Sequence, residues 1–166
     1  AFGGDAGTMA SHWAPQALAL PAAHASSRGA GVRVAVLDGG TDLTHPRLAA
    51  SFARRGDGTL LGRDFVDGDD DPSEMAAATD AGWGHGTHVA GLVSLAAPDA
   101  ALMPVRVLDR AGLGNGWVLA EALMWAIDPD GDPATDDGAH VVNISLGTTV
   151  PTRLLNTAIE LATCSD

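Results

Sequence analysis

The chain has 166 residues, 46% of them apolar, with nine arginines, no lysine and 21 acidic side chains that give a net charge of −12. That length and apolar share suffice for one domain with a core, while the acidic surplus argues against a partner bound through nucleic-acid phosphates. No apolar run reaches the roughly 18 residues of a transmembrane span, so no membrane partner is expected, and the single cysteine, Cys164, excludes an internal disulfide.

The chain opens on Ala1 and is read as a piece of something longer or processed. Residues 1–30 are rich in Ala, Gly and Ser, with Pro15 and Pro21 as breakers. Loop with one short helical segment around Gln16 to Leu20 is expected there. Residues 31–37 form a continuous β-branched, apolar run closed by Asp38, Gly39 and Gly40. Such a run reads as a buried parallel strand whose functional end is its carboxyl side, which puts Asp38 where these sheets bind ligands. The turn Thr44-His45-Pro46 and the exposed loop around Arg54 to Gly58 follow. A short strand is expected at residues 63–66, then a solvated acidic loop through Asp67, Asp69, Asp70 and Asp71.

The stretch Gly84-His85-Gly86-Thr87-His88-Val89-Ala90-Gly91 organises the chain. A glycine on each side of His85 lets backbone crowd the imidazole, and Val89, Ala90, Leu92, Val93 and Leu95 recur at helical spacing. His85 is therefore expected at the start of a buried helix, rigidly held, in a sensible place for a general base. After a turn at Ala97-Pro98, residues 102–108 read as a second strand, with Pro104 suited to its start or to an irregular place in the ladder. Residues 112–116 are too glycine-rich to pack as an element, and so bare a backbone can lie against a ligand. Residues 117–127 read as a helix with Asn115 as N-cap. A second acidic loop, residues 128–138, leads to a strand at residues 141–147. Leu154, Leu155, Ala158, Ile159 and Ala162 then mark a last amphipathic helix. Strand–helix alternation predicts an α/β fold, a doubly wound parallel sheet with helices on both faces, with another strand expected where the chain stops at Asp166. The strand at residue 141 onward is expected to have one edge unpaired.

In a parallel sheet the strand end at Asp38, the helix start at His85 and the strand end at Ser145, Leu146 and Gly147 share one edge. A buried aspartate beside a histidine fixes its tautomer and stabilises the imidazolium, two-thirds of a nucleophilic relay. The third member would be a Ser or Cys on a helix start or sharp turn. Ser145 lacks that setting.

These residues resemble the subtilisin-like serine proteases, the subtilase family. Val34 to Gly40 with Thr44-His45-Pro46 resembles the family's aspartate motif, and His85 to Gly91 its histidine motif; the order aspartate before histidine is also the family's. The resemblance runs from about Trp13 to the end, so the chain is read as the N-terminal part of a single peptidase domain, truncated before its last strands. It implies a serine endopeptidase in which Asp38 is the orienting acid and His85 the base. Gly112, Leu113 and Gly114 would pair with substrate backbone, and Ser145, Leu146 and Gly147 would line the specificity pocket. The implied partner is an extended peptide or protein substrate, the implied location extracellular, and the remainder of the domain would complete the site.

Several features depart from the family pattern. The nucleophile motif Gly-Thr-Ser-Met-Ala and the strand carrying the oxyanion-hole asparagine are absent from these 166 residues. The piece alone is therefore expected to be inactive. Position 39 is Gly where Thr or Ser is usual. Arg47 replaces an aspartate of a common calcium site, and the turn at Ala97-Pro98 is too short for that site's loop, which argues against calcium there. The resemblance fixes no cofactor. Alternating carboxylates at Asp128, Asp130 and Asp132, near Asp136 and Asp137, leave a calcium loop as an alternative to a solvated acidic face. Two rivals stand beside the protease reading: a catalytically dead peptide-binding module using the same groove, and a metal hydrolase built on His85 and His88 with His45 or His24.

Overall fold

The computed structural model describes residues 13–148 and 152–164, the side chain of Cys164 excepted. Two short helices, α1 (Trp13–Ala17) and α2 (Leu20–Ser26), precede strand β1 (Arg33–Asp38). Where one helix around Gln16 to Leu20 is expected from the sequence, the chain forms two, and Ala19, at φ 51°, turns the corner between them. The prolines start these helices instead of breaking them. Pro15 and Pro21 both sit in a first helical turn, where the backbone N–H has no intrahelical acceptor to lose. Residues 1–12 of the expected N-terminal loop lie outside the described residues.

The chain continues through β2 (Arg63–Asp64), α3 (His85–Ala96), β3 (Ala101–Arg106), α4 (Gly116–Ile127), β4 (Val141–Ile144) and α5 (Arg153–Cys164). The four strands are parallel in the order β2-β3-β1-β4. β2 is shorter than expected because Asp64 Oδ1 accepts the N–H groups of Val66 and Asp67 and curls the chain out of the ladder. β4 stops at Ile144, which pairs with Leu37, and residues 145–148 run on as irregular chain beyond that last rung. β4 is also the sheet's outer strand on that side, paired among the described residues only with β1.

Pro104 lies inside β3 and not at its start. Leu102 exchanges hydrogen bonds with Ser51 and Ala53, and the Arg106 carbonyl accepts from Phe65. Alternate residues of a strand point their backbone groups the same way, so Pro104 faces the same side. Its missing N–H falls in the gap between the bridge at Phe52 and the start of β2.

Period-two alternation separates the two faces of the sheet. Ala35, Leu37, Met103 and Val105 pack against Leu119, Ala122, Leu123 and Ala126 of α4 and Ala158 of α5. On the other face Leu102 packs with Leu48, Phe52 and Ala90 of α3. Each large apolar side chain removed from water here contributes about 1.5–3 kcal/mol. Helices thus cover both faces, as a doubly wound α/β fold requires. α4 starts as its sequence dictates, with Asn115 Oδ1 accepting from Trp117 N and Val118 N at 3.0 Å each. Among the described residues no helix is long and apolar enough to cross a membrane. The chain leaves β1 toward β2 on one side and leaves β3 past β1 toward β4 on the other, so the connections depart in opposite directions from the carboxyl ends of these two adjacent strands. Ligand crevices form at such a switch, outside the carboxyl ends of the strands.

Candidate active site

Asp38 is the last residue of β1 and is fully buried, at 1% exposure. Its carbonyl oxygen accepts Val107 N and Leu108 N, which fixes the strand end, and Gly39 N–H donates to its Oδ1 at 2.7 Å. His85 opens α3, and its Nδ1 lies 2.8 Å from Asp38 Oδ1 and 3.0 Å from Oδ2. An ionised carboxylate only accepts, so Nδ1 carries the proton, and in the neutral imidazole Nε2 is then the nitrogen with the lone pair. The aspartate side chain is buried while that of the histidine is 51% exposed. One edge of the imidazole is therefore anchored and the other faces solvent, the arrangement of an oriented base.

Glycine makes this approach sterically feasible. A Cβ on Gly86 would collide with the Gly40 carbonyl oxygen and come within 3.2 Å of Asp38 Oδ1. Gly84, the N-cap of α3, sits at φ 76°, a conformation that L side chains rarely adopt.

A cavity of about 780 Å³ opens at this edge of the sheet. It is lined by Asp38 and His85, by the glycine-rich wall of Gly112, Leu113 and Gly114, and by Ser145, Leu146 and Gly147, with Leu119, Leu155 and Ile159 as apolar lining. The structure thus brings all eight sequence-predicted site residues around one cleft. The glycine wall is shaped by Asp109, whose Oδ1 accepts Ala111 N and Leu113 N while its N–H donates to Leu113 O. Gly114 packs against Val107 O, closer than any Cβ would allow. Leu113 projects, 68% exposed. Ser145 Oγ donates to Asn143 Oδ1 at 2.8 Å, so its proton is already engaged. A larger groove of about 1160 Å³ runs along the outer face of α3 and reaches the other side of His85, with Trp83, His88 and His24 along it.

Among the described residues the histidines do not gather into a metal centre. His85 Nδ1 is committed to Asp38 and His24 Nε2 contacts Ala96 O. Among the described residues, the group whose donor atoms converge within 4.8 Å is Asp128, Asp130 and Asp137. Hard carboxylate oxygens of this kind suit calcium chemistry. Asp132 and Asp136 are turned elsewhere: Asp132 caps Ala134 N, and Asp136 pairs with Arg33. Burial, and then the neighbouring Asp130 and Asp128, hold Asp137 above the ordinary carboxylate range.

Two features have no signal in the sequence. Arg106, buried at the end of β3, donates to Asp64 at 2.5 Å and Asp67 at 2.6 Å and latches the acidic loop to the sheet. Burial pulls its guanidinium down, and the bonds to Asp67 and Asp64 outweigh this and leave it raised. Glu74, ten residues before Gly84, accepts that residue's N–H and the Thr87 hydroxyl.

The model of the subtilase family matches residues 29–163. Thermitase of Thermoactinomyces vulgaris is 32% identical over 160 residues, which is 90% of this chain and 50% of thermitase. Subtilisin Savinase of Lederbergia lenta is 38% identical over 161 residues, 91% of this chain and 51% of that protein. The minor extracellular protease Vpr of Bacillus subtilis is 37% identical over 144 residues, 81% of this chain and 16% of Vpr. The chain therefore spans about half the length of these relatives, or less. Among solved structures, a cold adapted subtilisin-like serine proteinase superposes with a TM-score of 0.64 at 29% identity, over 84% of this chain and 45% of that one.

Proposed function

The chain belongs to the subtilase family, and from that premise we propose that it supplies the acid–base half of a serine endopeptidase. His85 Nε2 takes the proton of a serine hydroxyl as that oxygen attacks the scissile carbonyl. Asp38 holds the tautomer and stabilises the imidazolium formed. The proton then passes from His85 to the leaving amine, and water repeats the cycle on the acyl-enzyme. The observation that carries this reading is the 2.8 Å contact between a buried Asp38 and a half-exposed His85 at the mouth of the cleft.

The substrate is an extended peptide. It lies between Gly112, Leu113 and Gly114 on one side and Ser145, Leu146 and Gly147 on the other, with main-chain hydrogen bonds giving affinity and the apolar lining receiving a side chain. The nucleophilic serine and the oxyanion donors come from sequence outside these 166 residues, which contain no Gly-Thr-Ser-Met-Ala. By themselves the 166 residues prepare a base with nothing placed for it to deprotonate, so they do not turn substrate over. Similarity to an extracellular protease supports secretion.

Peptide hydrolysis by a gene product extending past residue 166 tests the proposal. Asp38→Asn is expected to lower turnover by roughly 10⁴-fold and His85→Ala by about 10⁶-fold, the scale on which such relays fail. Peptide binding without turnover in that longer product would favour the binding module instead.

A further inference from the structure

We propose that Glu74 is a positioning residue for the Asp38–His85 pair, pinning the first turn of α3 to the loop that leaves Asp38. Helix α3 begins without a cap of its own: Gly84 has no side chain to offer and the first turn contains no acidic residue. Four N–H groups at such an end need acceptors. Glu74 supplies one from outside the helix, its Oε1 accepting the Gly84 N–H and its Oε2 accepting the Thr87 hydroxyl at 3.0 Å.

Thr87 Oγ1 in turn accepts the Asp42 N–H at 2.8 Å. The relay Asp42 N–H to Thr87 hydroxyl to Glu74 carboxylate therefore ties the loop four residues past Asp38 to the turn that carries His85. Glu74 is itself held beside that loop, since its N–H donates to Thr41 O at 3.1 Å and Thr41 N donates to Pro72 O at 3.0 Å. A carboxylate that merely capped a helix would stabilise α3 without regard to Asp38. This one grips the residues on either side of the imidazole, Gly84 and Thr87, and joins them to the strand end carrying the acid. Because hydrogen-bond strength falls steeply with misalignment and misplacement of about 1 Å can cost a hundredfold in rate, the anchor sets how well His85 meets Asp38.

The role rests on His85 serving as the base, but its test reads the imidazole and needs no turnover, so failure here is distinct from failure of the proteolytic assignment. The probe is the Nδ1 proton of His85 in the 166-residue chain, followed by NMR at low temperature and assigned by its loss in His85→Ala. In Glu74→Ala this proton is expected to exchange with water roughly tenfold faster, equivalent to about 1.4 kcal/mol. The amides of residues 84–88 should lose protection in parallel, while those of β1 and β3 keep theirs. Glu74→Gln retains a carbonyl for Gly84 N–H and an amide that can donate to Thr87 Oγ1, and should restore most of the protection. The proposal is overturned if Glu74→Ala leaves Nδ1 exchange unchanged. It is equally overturned if protection falls uniformly across the sheet in both variants, or if Glu74→Gln, with its sheet intact, behaves like the alanine variant.

Discussion

Replacing Gly86 with alanine sets two known magnitudes against each other at the heart of the site. Gly86 is the second residue of α3 and buried. In an exposed helix the exchange would stabilise by about 1 kcal/mol, because alanine is the better helix former. Here the new methyl overlaps the Gly40 carbonyl oxygen and falls 3.2 Å from Asp38 Cβ and Oδ1. Neither side can yield easily. Gly40 sits at φ 94° with Ser73 O 2.7 Å from where its own Cβ would be, so the loop is backed by residues 73–74. Overpacking of a rigid interior costs about 1–3 kcal/mol, and a clash with backbone belongs at the upper end. The net expectation is a loss of about 2 kcal/mol, the difference between roughly 3 of clash and 1 of helix propensity. Urea denaturation of the two chains at equal concentration, with m unchanged, reads this directly. A midpoint equal to or above that of the parent would refute the claim that α3 and the Asp38 loop meet with no room between them.

The acidic loop and the cleft helix give two further expectations. Asp137 is held above the ordinary carboxylate range by burial and by Asp130 and Asp128, so the folded state binds its proton more tightly than the unfolded. Stability is then lost as pH rises from the ordinary carboxylate range through the raised value. Asp137→Asn should accordingly unfold at higher urea than the parent at pH 7 in the presence of chelator, with the gap closing under acid conditions; a lower midpoint at pH 7 would contradict this. Asn115→Ala removes the acceptor of two N–H groups at the start of α4 and should cost about 1 kcal/mol by thermal or urea unfolding; no measurable change would mean that the cap does not hold this end of the cleft.

What the sequence made legible were features written in consecutive residues. The apolar run ending at Asp38 defines a buried strand, the glycine-flanked His85 before a helical pattern defines a helix start, and Asn115 caps α4 as its residue type suggests. The eight predicted site residues meet at one cleft because strand ends and helix starts share an edge in a parallel sheet. What escaped depends on neighbours distant in sequence. Glu74 reaches across ten residues to Gly84, and nothing local distinguishes it from a solvated acid. Arg106 interrupts the apolar run of residues 102–108, and only the sheet shows that Asp64 and Asp67 meet it. Pro104 is tolerated inside β3 because of a gap between partners that no single strand records. Pro15 and Pro21 look like breakers, yet their positions in first turns make them helix starters. Of the alternating aspartates at residues 128–137, Asp132 and Asp136 are drawn off by local turns and by Arg33, a selection that spacing does not encode.

The central claim is that Asp38 and His85 prepare a base for a serine that lies outside these 166 residues. A fluorophosphonate probe reports it most directly, because it reacts with a serine only when a neighbouring base and oxyanion donors activate it. Applied to a gene product extending past residue 166, the probe should modify one serine beyond that point, with labelling abolished in His85→Ala, and should leave the 166-residue chain unmodified. Stoichiometric labelling of Ser145 or of any other serine within residues 1–166, or labelling of the longer product that survives His85→Ala, would contradict it.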